Sequence, residues 1–335
     1  MKYYQNILKL VGGTPLVRIN KINPNKNVLL LAKLERQNPA GSVKDRIAIS
    51  MIEAAEVEGS LTPDKIVIEP SSGNTGIGLS LVCAVKGYPL EIVMPETMSV
   101  ERRKIMTAYG ARITLTGGSK GMNGAEDYVK DIVESNPEKY FYPNQFANEN
   151  NPIAHYRHTA NEIIEDTDGE LDVFIAGLGT SGTLMGVSRR LKEYNPKIKI
   201  IGVQPSKGAQ IQGLKNLETS YKPQIFDNGM LDEMVYVEMA EAEHASRMLS
   251  LQEGIFSGIS SGAAIHVAIE TAEKMDSGTI VVLLPDGGEK YISNPLYTPE
   301  KCLDCTKRCK IKTLWDDEYI KSIAEWWETQ EFDNS

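Results

Sequence analysis

The chain has little of what metal centres and disulfide frameworks are made from. Its 335 residues include 4 histidines and 4 cysteines. His155, His158, His244 and His266 show no metal-binding spacing. Cys83 stands alone in an apolar run, while Cys302, Cys305 and Cys309 crowd together far along the chain. That distribution is unlike the disulfide scaffold of a small secreted domain. Positive charge is short as well: 36 Lys and Arg face 45 Asp and Glu, a net charge of −9. The deficit argues against non-specific nucleic-acid binding and against an anionic membrane surface. No run approaches the ~18 apolar residues of a membrane span. The opening "MKYYQNILKLVGGTPLV" shows neither the apolar stretch nor the cleavage pattern of a signal peptide. A cytoplasmic location is the expectation.

What is present is an alternation of short apolar runs with longer helical stretches. The hydrophobic fraction of 41% and charged fraction of 24% are ordinary for a globular protein. The length suits two domains or one large unit. Strands are expected at 27–35, 65–70, 90–95 and 111–117, with helices at 44–59, 75–87 and 99–110 between them. Gly59, Gly87 and Gly110 read as helix stops and Ser99 as an N-cap. Further on, "LDVFIAG" (171–177), "IKIIGVQP" (198–205) and "TIVVLLP" (279–285) are unbroken apolar runs. Strands of that kind are buried on both faces, as in parallel sheets under helices. The expected class is α/β with parallel sheets. Beyond about residue 299 the chain turns polar and carries the cysteine cluster.

The segment "AGLGTSGTLMG" (176–186) contains a literal G-x-G-x-x-G after a strand and before a helix. A dinucleotide site would want an acidic residue at the end of the next strand, for the ribose hydroxyls. The chain has Gln204 there. Glycines at a helix N-terminus still make an anion site, through free amides and the helix dipole. Thr180, Ser181 and Thr183 add hydroxyls, which suits a phosphate monoester better than a bridging pyrophosphate. No Gly-Lys-Ser/Thr follows, so a nucleoside-triphosphate loop is disfavoured. A ligand-free turn between strand and helix stays open on this motif alone.

Three other segments share that style. "NPAGSVKDR" (38–46) sets Lys44 at a helix start, where the helix dipole and Arg46 favour a neutral, nucleophilic amine. "EPSSGNTGIG" (69–78) gathers Ser71, Ser72, Gly73, Asn74 and Thr75 at another helix N-terminus, chemistry suited to a carboxylate. "GISSGAA" (258–264) brings Ser260 and Ser261 to a third. A lysine nucleophile, a phosphate cup, a carboxylate loop and a hydroxyl turn are what pyridoxal 5′-phosphate needs.

At this point the sequence resembles a known family. "GGTPLV", "NPAGSVKDR", "EPSSGNTGIGLS", "GLGTSGTLMG", "QEGIFSGISSGAA" and "LLPDGGEKY" run in the order seen in fold-type II pyridoxal-phosphate enzymes, the cysteine synthases and cystathionine β-synthases. The resemblance spans roughly residues 5 to 296. It implies a tryptophan synthase β-like fold, two open α/β domains with the cofactor in the cleft between them. The larger would comprise residues 1–43 and 148–298, and the smaller, mobile one residues 44–147, with a Cys-bearing extension at 299–335. Lys44 would carry the cofactor and act at Cα. Asn74 would meet its ring hydroxyl, and Gly179, Thr180, Ser181, Gly182 and Thr183 its phosphate. Ser260 would meet the ring nitrogen. Ser71, Ser72, Gly73, Thr75 and Gln145 would bind the substrate carboxylate.

The chemistry so implied is β-replacement on a serine- or cysteine-type amino acid through an aminoacrylate. Cysteine synthesis from O-acetylserine or O-phosphoserine plus sulfide leads. Release of hydrogen sulfide from cysteine, cystathionine synthesis and, more remotely, a nicotinamide oxidoreductase are the alternatives. The expected partners are an amino acid and sulfide or a thiol, with no nucleic acid and no membrane, in a homodimer. Lys215 is a candidate for a substrate phosphate, against the reading of a surface lysine. Asp232 is a candidate base for water, against that of a strand-edge carboxylate. Cys302, Cys305 and Cys309 form C-x-x-C-x-x-x-C with no evident fourth ligand, so metal binding and free thiols both stand.

Overall fold

The structure is a computed structural model and describes residue 1 and residues 3–297. The cysteine cluster and the 299–335 extension lie outside the described residues. In chain order the elements are β1 (Leu16–Arg18), β2 (Val28–Leu34), α1 (Lys44–Glu58), β3 (Ile66–Pro70), α2 (Asn74–Lys86), β4 (Leu90–Pro95), α3 (Val100–Ala108), β5 (Arg112–Thr116) and α4 (Gly121–Ser135). They continue with β6 (Tyr140–Phe141), α5 (Asn150–Ala154), α6 (Ala160–Asp166), β7 (Val173–Gly177), α7 (Gly182–Tyr194), β8 (Lys199–Pro205), β9 (Glu233–Val237), α8 (Met239–Glu253), α9 (Ile259–Lys274) and β10 (Gly278–Leu284). A π turn, His155–Thr159, joins α5 to α6. No helix among the described residues is long and apolar enough to cross a membrane.

The strands form two sheets, as the alternation predicts. One is six-stranded in the order β1-β2-β10-β7-β8-β9, parallel except for the β1–β2 pair. The other is four-stranded, β5-β4-β3-β6, and wholly parallel. The unbroken apolar runs are explained by helices on both faces. In β7, Val173 and Ile175 pack with α8 and α9, while Phe174 and Ala176 pack with α7. β10 divides in the same way, Ile280 and Val282 to one face, Val281 and Leu283 to the other. In the smaller sheet, Val67 and Ile92 meet α1 and α2, and Ile68 and Val93 meet α4. Alternate side chains point to opposite faces, and both faces are dry. Ser99 stands before α3 as expected, but its hydroxyl donates to Glu101 rather than capping the helix amides.

Helix α1 carries the chain from the larger sheet to the smaller. Its start is fastened by an ionic cluster. The Arg46 guanidinium donates to Glu35 at 2.7 and 2.8 Å and to Glu162 at 2.6 and 2.7 Å. Lys33 reaches Glu162 at 3.0 Å and Asp166 at 2.9 Å. Arg46, Glu35 and Lys33 are all buried. The cluster joins β2, α1 and α6. Removing one member of such a cluster strands its partner as a buried, unpaired charge. Arg46→Ala is therefore expected to cost about 3–5 kcal/mol of stability, read as a lowered urea midpoint. A change within experimental error would show that the cluster does not hold α1.

Candidate active site

Four helix N-termini carry the polar residues singled out above, those of α1, α2, α7 and α9. Short contacts draw them together. Ser42, just before α1, bridges Asp286 after β10, and Ser257, just before α9, bridges Gly287. Val43 N–H bonds the Pro285 carbonyl at 2.9 Å. Each of these turns follows a strand or precedes a helix, so its polar groups are freed by the end of regular structure.

Lys44 opens α1, its backbone N–H on Ser42 Oγ at 3.2 Å. Burial pushes its ammonium down to about 8, against the opposing pull of Asp286 and Glu35. A useful fraction is then neutral near physiological pH, as a nucleophile requires.

The phosphate-cup residues lie between β7 and α7. Gly179 and Gly182 are sterically required. A Cβ at Gly179 would lie 2.6 Å from the Gly213 carbonyl oxygen, and one at Gly182 would lie 1.8 Å from Asn151 Oδ1. Between them Ser181 adopts a left-handed φ of 70°, a conformation costly for a side-chain-bearing residue and typical of ligand clamps. Its buried hydroxyl has no hydrogen-bond partner among the described residues. Thr183 Oγ1 pairs with His155 Nε2 at 3.2 Å, and His155 Nδ1 with Thr159 Oγ1 at 3.0 Å. Burial, with Lys44 and Arg46 adding to it, holds His155 well below its usual pKa. The cup thus offers an orphaned hydroxyl, tight glycines and the first-turn amides of α7, which fits a phosphate.

The carboxylate loop is built on α2. Thr75 Oγ1 donates to Gln145 Oε1 at 2.6 Å. Ser71 Oγ accepts from the Gly76 N–H at 3.0 Å, so it braces the loop itself. Ser72 presents its carbonyl to Arg102 at 3.2 Å. Glu69 accepts the N–H groups of Asn144 at 2.9 Å and Gln145 at 3.4 Å. Asn151 then ties the loop to the cup, donating to the Gln145 carbonyl at 2.8 Å and to Thr180 Oγ1 at 3.1 Å. Ser260, buried, stands beside the same Gly213 that crowds Gly179.

Two lesser candidates part company. Lys215 bonds through its backbone to Leu178 at 2.8 Å, and its ammonium lies 3.8 Å from the centre of the Phe146 ring. It therefore stands between the cup and the Gln145 segment rather than on open surface. Asp232 takes the strand-edge place that stood against its reading as a base. Its carboxylate accepts from Lys192 Nζ and Ile200 N, each at 2.7 Å. Lys192 lies in the last turn of α7 and Ile200 near the start of β8, at the ends of these elements away from the cup, and the two bonds account for the Asp232 carboxylate. Among the described residues no group of three or more His, Cys, Asp or Glu is placed to hold a metal. Asn151, His155, Arg102, Asp286 and Lys290 were not foreseen as site residues. The "LLPDGGEKY" motif contained the last two, but no feature of it distinguished those side chains.

An α/β scaffold with a buried lysine, a phosphate cup and a carboxylate loop defines a class, and the family comparison agrees with it. A family described as pyridoxal-phosphate dependent enzyme matches residues 7–286, and the chain belongs to that family. Within it, the chain is similar to a cysteine synthase from Aquifex aeolicus, 47% identical over 305 residues, covering 89% of this chain and 93% of that one. Among solved structures it is similar to the cysteine synthase of Entamoeba histolytica, with a TM-score of 0.85, 40% identity and coverage of 97% and 96%. A hydrogen sulfide-producing enzyme from Fusobacterium nucleatum matches with a TM-score of 0.82 and 43% identity, over 86% of this chain and all of that one.

Glu69 generates a pH prediction. Burial pushes its carboxyl up to about 8, against the two amides that lower it. The fold then favours the protonated form, so Glu69 supports stability at low pH and that support fades as pH rises from about 4.3 toward 8. Comparing thermal midpoints of wild type and Glu69→Gln from pH 5 to 8, the wild type should lose ground steadily as pH rises. A constant difference would contradict the assignment.

Proposed function

We propose that this chain makes cysteine by β-replacement, taking O-acetylserine or O-phosphoserine and sulfide. The observation that carries the reading is that Asn151 bonds both Gln145 of the Thr75 loop and Thr180 of the Ser181 cup, while Lys290 ties Asn74 to the turn leading into Lys44. The named activities of the relatives support it. When bound, pyridoxal 5′-phosphate supplies the electron sink that makes an amino acid's Cα proton acidic. The cup residues Gly179, Thr180, Ser181, Gly182 and Thr183 hold its phosphate. Asn74 would meet its ring oxygen and Ser260 its ring nitrogen. A serine there is a poor proton donor beside a carboxylic acid, which favours expulsion of the β-substituent over prolonged charge storage on the ring. Lys44 Nζ would anchor the cofactor and, once the substrate amine has taken its place, would accept the Cα proton as acetate or phosphate leaves Cβ and return it to Cα when sulfide bonds to Cβ. Ser72, Gly73 and Thr75 bind the substrate carboxylate, with Ser71 and Gln145 bracing them.

The domain division follows the same reading, with residues 1–43 plus 148–298 as the larger unit and 44–147 as the smaller. Carboxylate binding draws the smaller unit closed. The Arg46 cluster ties the start of α1 to the larger unit, so the movement belongs to the β3–β6 sheet rather than to Lys44. A homodimer belongs to the same reading and rests on the family resemblance.

Release of hydrogen sulfide from cysteine is the second reading, favoured by the Fusobacterium nucleatum neighbour. Initial rates with O-acetylserine plus sulfide, O-phosphoserine plus sulfide, and cysteine alone rank the two. Synthesis should exceed release at saturating donor, and the reverse order would overturn the leading reading. Lys215→Ala should lower kcat/KM about tenfold for O-phosphoserine relative to O-acetylserine, the scale of one charge-assisted contact. Equal losses would remove Lys215 from donor selection.

A further inference from the structure

The Asn74 side chain is gripped at both of its polar heads. Its Oδ1 accepts from Lys290 Nζ at 2.9 Å, and its Nδ2 donates to Asp286 Oδ2 at 2.7 Å. Lys290 is 7% exposed and Asp286 1%. An ammonium has only donors and a carboxylate only acceptors. The orientation of the Asn74 amide is therefore dictated by its neighbours, which is unusual for a group whose two heads are otherwise interchangeable. Lys290 uses its remaining donors on the Ala40 and Gly41 carbonyls, each at 3.1 Å, in the turn that leads to Lys44. Asp286 Oδ2 also accepts from the Tyr291 hydroxyl at 2.8 Å. Arg102 stacks on the Tyr291 ring at 5.0 Å.

We propose that Lys290, with Asp286, is a positioning residue that fixes the Asn74 amide so that it presents an N–H, and never its carbonyl, to the cofactor's ring oxygen. The proposal rests on the placement of Asn74 at that oxygen. With Oδ1 turned to the Lys290 ammonium and one Nδ2 hydrogen on Asp286, the second Nδ2 hydrogen is the donor left to offer, and an ionised ring oxygen, itself only an acceptor, can use it. A donor at the ring oxygen stabilises its ionised form, whereas an acceptor would stabilise the protonated one. A freely turning asparagine offers both. Lys290 also spans the Ala40–Gly41 turn and α2, so the one ammonium registers Asn74 against the segment carrying Lys44. The loop after β10 contributes to the reaction in this way without touching substrate.

The test is spectroscopic. The ratio of visible to near-ultraviolet absorbance of the bound cofactor, at one pH, reports the ionisation of the ring oxygen. Purified holoenzymes of wild type, Asn74→Ala, Lys290→Met, Lys290→Gln and the Asn74→Ala/Lys290→Met double variant are compared, with thermal midpoints and cofactor dissociation constants. Asn74→Ala should change the ratio by about fivefold, the equivalent of one hydrogen bond. Lys290→Met should shift it in the same direction, the double variant no further than Asn74→Ala alone. Lys290→Gln keeps an N–H donor and should stay nearer wild type, which serves if the methionine variant folds poorly. A wild-type spectrum in Lys290→Met and Lys290→Gln, or shifts that add in the double variant, would overturn the positioning role. An unchanged spectrum in Asn74→Ala would overturn the placement of Asn74 and the proposal with it.

Discussion

Lys44 stands where it does because Arg46, one short step along the same helix turn, is locked to Glu35 and Glu162 in the dry interior. Desolvating a guanidinium is costly, and only near-complete pairing offsets it. Here Nη1, Nη2 and Nε all meet carboxylates. The first turn of α1 is thereby held against β2 and α6 before any ligand arrives. Since α1 leads from one sheet to the other, the same cluster sets where the smaller sheet begins. Everything that converges on Lys44 is arranged around a helix end whose position is fixed by charge.

The site carries an unusual density of buried ionisable groups whose balance lies near neutrality. Lys44 is brought down to about 8 and Glu69 up to about 8, in both cases chiefly by burial. His155 is kept neutral under the cup, and Lys290 is lowered by burial while Asp286 and Asp45 pull it back. Such groups are expensive unless paired: Glu69 is met by backbone amides, Lys290 by two backbone carbonyls and the Asn74 amide, and His155 by two threonine hydroxyls. The cup's Ser181 is strained and its hydroxyl unmatched, and it sits where a phosphate would complete it.

Much of the scaffold was legible in the sequence because its strands are long, apolar and doubly buried. β7, β8 and β10 appear as unbroken runs, and parallel order follows from the helices between them. β1 and β6 were missed because strands of three and two residues leave no period to read. The π turn at His155–Thr159 was invisible because a single wide turn leaves the helical pattern almost unchanged. In the site, the helix N-termini announced themselves through glycine and hydroxyl density. Asn151, Asp286 and Lys290 did not, since their importance lies in the partners they meet far along the chain, Thr180 for Asn151, Asn74 for Asp286 and Asn74 and Ala40 for Lys290, separations of 29 to 250 residues that no local pattern encodes. Asp232 shows the converse, a carboxylate whose residue type allowed a chemical role and whose place at a strand edge beside Lys192 matches the plainer of its two readings.

The central claim is that Lys44 alone carries the cofactor. Treating freshly purified, cofactor-saturated protein with borohydride makes the lysine–cofactor linkage permanent, and peptide mass spectrometry then locates it. The account predicts a pyridoxyl-phosphate adduct on the peptide containing Lys44 and on no other. An adduct on Lys290 or Lys215 with Lys44 unmodified, or no adduct at all, would contradict it.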